Sequence, residues 1–99
     1  MKSRQKLNIC GRPYTISVGH LPDALGICES GHARITISDN LEEHTDQPAE
    51  LIVLHEVLHA ILFETGLTHV VTEETEEAIV HAVALQLHTI GYRLSRYHR

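Results

Sequence analysis

Leu51-Ile52-Val53-Leu54-His55-Glu56-Val57-Leu58-His59-Ala60-Ile61-Leu62 is the stretch of this chain whose reading decides the fold. Leu51, Leu54, Leu58 and Leu62 recur at helical spacing, which predicts a helix that opens beyond Asp46 and closes at Gly66. Pro48 sits where a first-turn proline is tolerated. Within this helix, residues 55–59 read HExxH. Two histidines four apart lie one turn apart on one face, so their imidazoles can converge on a metal ion while Glu56 reaches a water beside it. A zinc ion lowers the pKa of such a water to about 7, and a carboxylate can take its proton as it attacks a carbonyl.

Reading outward towards the C-terminus, Thr72 is a plausible N-cap, and Glu73 and Glu74 suit the positive end of a second helix running towards Gly91. The connection over residues 66–71 is short enough to make the two helices antiparallel neighbours. The extended motif HExxHxxGxxH is excluded, because Leu62 and Thr65 occupy its Gly and third-His positions. A third ligand must therefore come from further along, and Glu77 is the candidate. His81, one turn later on the same face, is a candidate hydrogen-bonding partner behind the ligands. Glu73 or Glu74 replaces Glu77 only if the helix register shifts by a turn; otherwise both are solvated first-turn acids. His69, in the interhelical loop, is a candidate for stabilising an oxyanion, against the plainer reading of a surface histidine. His88 shares the face of Glu77 but lies beyond reach of the ligands. Tyr92, Tyr97 and His98 reach the site only if the tail folds back.

Reading towards the N-terminus, residues 7–10 and 14–18 are β-rich segments separated by Gly11-Arg12-Pro13, which predicts a hairpin. Residues 25–28 and 33–38 form a second pair around Glu29-Ser30-Gly31-His32. Arg34, Thr36 and Ser38 alternate with Ile35 and Ile37, so one face of the last strand is wet. The expected fold is α+β, a small, mainly antiparallel sheet packed beside two antiparallel helices. It forms a single domain over residues 1–99, with its core at about 7–91 and a basic tail at 92–99.

Composition narrows the function. With 99 residues, 42% hydrophobic content, three Tyr, one Phe and no Trp, the core must be built from Leu, Ile, Val and Ala, and a bound metal would help to hold it. Thirteen acidic against eight basic residues give a net charge of −5, which repels a phosphate backbone, so nucleic acid is not an expected partner. Cys10 and Cys28 are spaced too widely for a CxxC knuckle and read as reduced. No apolar run approaches the roughly 20 residues that span a bilayer, and no signal peptide is recognised, so a cytoplasmic protein with no membrane partner is expected. Nine His and ten Glu make a chance HExxH a matter of about one in ten. The helical context and Glu77 in the next helix weigh against chance, and the rival reading is a pair of core histidines.

His55 to His59 followed by Glu77-Ala78 resembles the gluzincin group of zinc metallopeptidases. The short chain is similar to small phage- and prophage-associated proteins grouped near the ImmA/IrrE metallopeptidases. Gly11-Arg12-Pro13-Tyr14, Leu25-Gly26-Ile27-Cys28 and Arg34-Ile35-Thr36-Ile37 are similar to that group's β-rich beginning. The likeness covers about residues 7–91, with HExxH as its specific signal. It implies a minimal zincin-like domain, Zn2+ on His55, His59 and Glu77, Glu56 as general base, and a peptide or protein substrate. It also implies that Arg34–Ser38 offers its edge to an extended substrate. Position 81 holds His where thermolysin-like enzymes place Asp, and the further domains of larger peptidases are missing. The alternative is a non-catalytic, zinc-stabilised protein-interaction domain of the same fold, against which Glu56 stands because a structural site has no duty for it. A hydrolase of some other amide is a third, weaker reading.

Overall fold

The computed structural model describes residues 4–91, so the expected basic tail, with Tyr92, Tyr97 and His98, lies outside the described residues. Four strands, β1 (Arg4–Ile9), β2 (Arg12–Gly19), β3 (Gly26–Glu29) and β4 (Arg34–Ser38), precede two helices, α1 (Ala49–Glu64) and α2 (Glu73–Thr89). The class is α+β, as expected. The strand order is β1-β2-β4-β3, with antiparallel pairs at β1/β2 and β3/β4. The two hairpins are joined by a parallel pairing of β2 with β4, which makes the sheet mixed.

The first turn falls one position earlier than the sequence reading placed it. Ile9 pairs with Arg12, leaving Cys10 and Gly11 as a two-residue turn with φ of 54° and 88°. Positive φ at both central residues is what matches a hairpin to the right-handed twist of its strands. Pro13 therefore lies inside β2, opposite Asn8. Next to a two-residue turn that is a non-hydrogen-bonded position towards β1, and the β4 pairing begins only at Thr15. The missing proline N–H is thus needed on neither side.

Alternation places Ile9, Tyr14, Ile16, Ile35 and Ile37 on one sheet face, where they pack against Ile52, Val53, Val57 and Ala60 of α1. The opposite side of α1 contributes Leu51 and Leu54 to a smaller cluster with Ala84 of α2. Helix α1 is thus the middle of three layers, which explains a segment apolar nearly all round rather than on one stripe. Arg12 and Tyr14 both donate to Glu64 Oε2, at 2.8 and 2.7 Å, and tie the end of α1 to the first hairpin. Those bonds, from Tyr14 and then Arg12, hold the Glu64 carboxyl below its ordinary range.

Helix α1 ends as expected, with Gly66 in the left-handed region at φ 82°. Thr72 caps α2 by accepting from the Thr75 N–H at 3.1 Å. Of α2, only Val80 and Ala84 are buried. Among the described residues, no helix is long and apolar enough to cross a membrane.

Candidate metal centre

Helix periodicity brings the motif residues to one cleft of about 580 Å³, walled by the start of β3, the middle of α1 and the first two turns of α2. One ligand atom each from His55, His59 and Glu77 lies within 4.8 Å of the others, so the three residues singled out in the sequence meet in space. Glu77 bridges the imidazoles. Its Oε1 is 3.2 Å from His55 Nε2 and its Oε2 is 3.4 Å from His59 Nε2. Two ligands on one tetrahedral ion, each bonded at about 2.0–2.1 Å, stand about 3.3 Å apart. Two imidazole nitrogens and a carboxylate at this spacing are a donor set that fits a transition-metal ion. In the ion's absence His55 Nε2 and Glu77 Oε1 share a hydrogen bond between the helices.

Electrostatics prepare the groups for that role. Burial lowers the His55 pKa, and the neighbouring His59 lowers it further against the opposing pull of Glu77, which favours the neutral imidazole that can donate a lone pair. Glu56 is 8% exposed. Burial pushes its carboxyl from 4.5 up to about 7, against the opposing pull of His59 and with help from Glu77.

A raised carboxyl has a calculable consequence for the metal-free protein. Between pH 4.5 and 7 the folded chain keeps a Glu56 proton that the unfolded chain releases. This contribution to stability is fully present below about pH 4.5 and is lost as pH rises through 7, a range worth about 3 kcal/mol. Metal-free Glu56→Gln, compared with the parent by thermal melts at pH 4.5 and 8, should gain relative stability at the higher pH. Parallel profiles for the two proteins contradict the assignment.

Two features of the cleft escaped the sequence reading. The first is its strand wall. Arg34–Ser38 was expected to present a free edge, but β4 is paired on both sides, with β2 and β3, so its backbone groups are spent in the sheet. The outermost strand on this side is β3, and Leu25, Gly26, Ile27 and Cys28 line the cleft in succession. Gly26 permits the close approach. A Cβ there would stand 3.0 Å from Ile52 Cγ2 and 3.2 Å from Glu56 Cγ. Gly26→Ala should therefore cost about 1–3 kcal/mol through overpacking and displace Glu56, which denaturant melts will measure. An unchanged melt contradicts that packing.

The second is Glu76. His59 Nδ1 is 2.6 Å from Glu76 Oε2, and the Thr68 hydroxyl donates to Glu76 Oε1. Burial alone would raise the Glu76 carboxyl, but the hydrogen bonds from Thr68 and His59 outweigh it and bring the pKa below its ordinary value. The sequence signal was the adjacency of two acids, Glu76 and Glu77, which a helix turns about 100° apart.

The remaining candidates are distributed as follows. His81 lines the cleft and its proximity helps to lower the His55 pKa, but among the described residues the hydrogen-bond partner of the His59 imidazole on its Nδ1 side is Glu76 rather than His81. His69 ends a 3-10 turn and packs against Phe63, with ring centroids 6.2 Å apart, outside the residues that line the cleft. Glu73 and Glu74 are exposed acids of the first turn of α2. His88 is on the last turn of α2, away from the cleft wall. Cys10 and Cys28 are free thiols. Comparison of the chain with protein-family models, curated proteins and solved structures finds no match.

Proposed function

We propose that this protein is a zinc-dependent peptide hydrolase in which His55, His59 and Glu77 hold the ion and Glu56 is the general base. The observation that carries the reading is the meeting of the three ligand atoms within 4.8 Å at a cleft that Glu56 also lines. A bound zinc supplies Lewis acidity, polarising the scissile carbonyl and acidifying water. Glu56, whose carboxyl is held near pKa 7 by burial without the ion, would be favoured in its ionised, basic form beside a bound cation. Glu56 then takes the proton of the attacking water and returns it to the leaving amine. The outer edge of β3 pairs with an extended peptide through its backbone, and Leu25 and Ile27 give that wall an apolar character. The free thiols fit a cytoplasmic location.

The test is cleavage of a peptide library by the zinc-loaded protein. Cleavage that a chelator stops and added zinc restores is the expected result. A zinc-loaded protein that cleaves nothing but retains a peptide in its cleft supports the alternative, a zinc-stabilised interaction domain of the same fold.

A further inference from the structure

We infer that Glu76, held by Thr68, is the positioning residue of the metal site: it accepts the Nδ1 proton of His59 and so presents that imidazole's unprotonated Nε2 to the ion. The inference rests on the metal-site reading above and deepens it. An imidazole between two carboxylates can carry its proton on either nitrogen, and the hydrogen bonds decide which. The distances favour one tautomer. Nδ1 approaches Glu76 to 2.6 Å, whereas Nε2 stands 3.4 Å from Glu77.

The two carboxylates also differ in exposure. The Glu76 side chain is 14% exposed and that of Glu77 59% exposed, so Glu76 is the inner group, shielded from solvent with its partner His59 at 17%. Glu76 engages the nitrogen of His59 that points away from Glu77, so it stands behind the imidazole while Glu77 stands in front. A carboxylate in that position fixes the ring's rotation and makes Nε2 a stronger donor. Thr68 completes the arrangement. Its hydroxyl occupies the other oxygen of Glu76, which ties the 3-10 turn Leu67–His69 between the helices to a ligand on α1 through a residue on α2. Metal affinity should therefore depend on a loop threonine whose hydroxyl bonds to Glu76 rather than to a ligand.

The experiment measures zinc affinity by competition with a chromophoric chelator for the parent, Glu76→Ala, Glu76→Gln, Thr68→Val and His59→Ala. It also determines the His59 tautomer in the metal-free parent from its imidazole nitrogen shifts. Glu76→Ala should bind zinc about 10- to 100-fold more weakly than the parent. Glu76→Gln keeps an acceptor oxygen without the charge and should recover part of that loss, and Thr68→Val should weaken binding by a smaller factor. The metal-free parent should carry the His59 proton on Nδ1, a readout that a purely structural role for Glu76 does not require.

Zinc binding by Glu76→Ala as tight as the parent's, with His59→Ala losing it, overturns the inference and leaves the metal site standing. A proton found on Nε2 of His59 also overturns it. A parent that binds no zinc overturns the metal reading and this inference together. Should Glu76→Ala fail to fold, Glu76→Gln, Thr68→Val and the parent's tautomer decide the matter.

Discussion

Glu56→Gln is expected to lower turnover by about 10²- to 10⁴-fold, the range a general base contributes, with zinc content unchanged. Glu56 is the one residue of the motif whose proposed role is chemical rather than ligating, so it separates catalyst from scaffold. The substitution keeps size and helix propensity. It also replaces a buried carboxyl whose pKa is about 7 with a neutral group, so the metal-free variant should be no less stable than the parent at neutral pH. Activity is thus predicted to fall without a loss of stability, which general damage to the fold cannot imitate. Kinetics on any peptide found by library screening, with metal analysis of the same samples, provide the check. Equal turnover by parent and variant rules Glu56 out as the base.

Loss of the ion should have the second large effect, and it should fall on helix α2. Val80 and Ala84 are the only buried residues of α2, and its hydrophobic contact with α1 centres on Leu51, Leu54 and Ala84. His55 and His59 lie on α1 and Glu77 on α2, so an ion shared by the three would clamp the two helices together beyond that apolar contact. Free zinc at 1,000 times its Kd stabilises the fold by about 4 kcal/mol. For a domain of this length that corresponds to a Tm higher by roughly 15 °C or more. Chelation should remove that increment. Glu77→Ala, at a side chain 59% exposed, should lose both zinc and the chelator response while costing the metal-free protein no more than about 1 kcal/mol, the worth of an exposed pair. His59→Ala should also lose zinc, with an additional cost because Glu76 is left without its partner. Identical melting curves for metal-loaded and metal-free parent contradict the clamp.

The legible part of this molecule was the part encoded by period and by terminal residues. The 3.6-residue recurrence of Leu51, Leu54 and Leu58, the Thr72 cap and the Gly66 terminus appear in the structure where the sequence reading put them. The two hairpins and the α+β class were legible too, though the first hairpin's turn falls one position earlier than expected. The meeting of Glu77 with His55 and His59 was also legible, because a short connection constrains two helices to lie antiparallel. What stayed hidden was set by long-range pairing. Strand order cannot be read from alternation alone, and the expectation that Arg34–Ser38 was an edge failed because β2 returns in parallel beside it, which displaces the edge to β3. The role of Glu76 was hidden for a different reason. It depends on which of two adjacent carboxylates meets Nε2 of His59 and which meets Nδ1, a matter of helix rotation by one residue.

The central claim is that His55, His59 and Glu77 bind one zinc ion in each chain. Elemental analysis of protein purified without added metal, repeated after zinc reconstitution and exhaustive dialysis, measures it most directly. The account predicts a stoichiometry close to one in the parent and near zero in Glu77→Ala, since a site of structural strength is worth on the order of 10 kcal/mol of binding free energy. A parent that holds less than about 0.2 zinc per chain and takes up none on reconstitution, despite three donors spaced for a single ion, contradicts it.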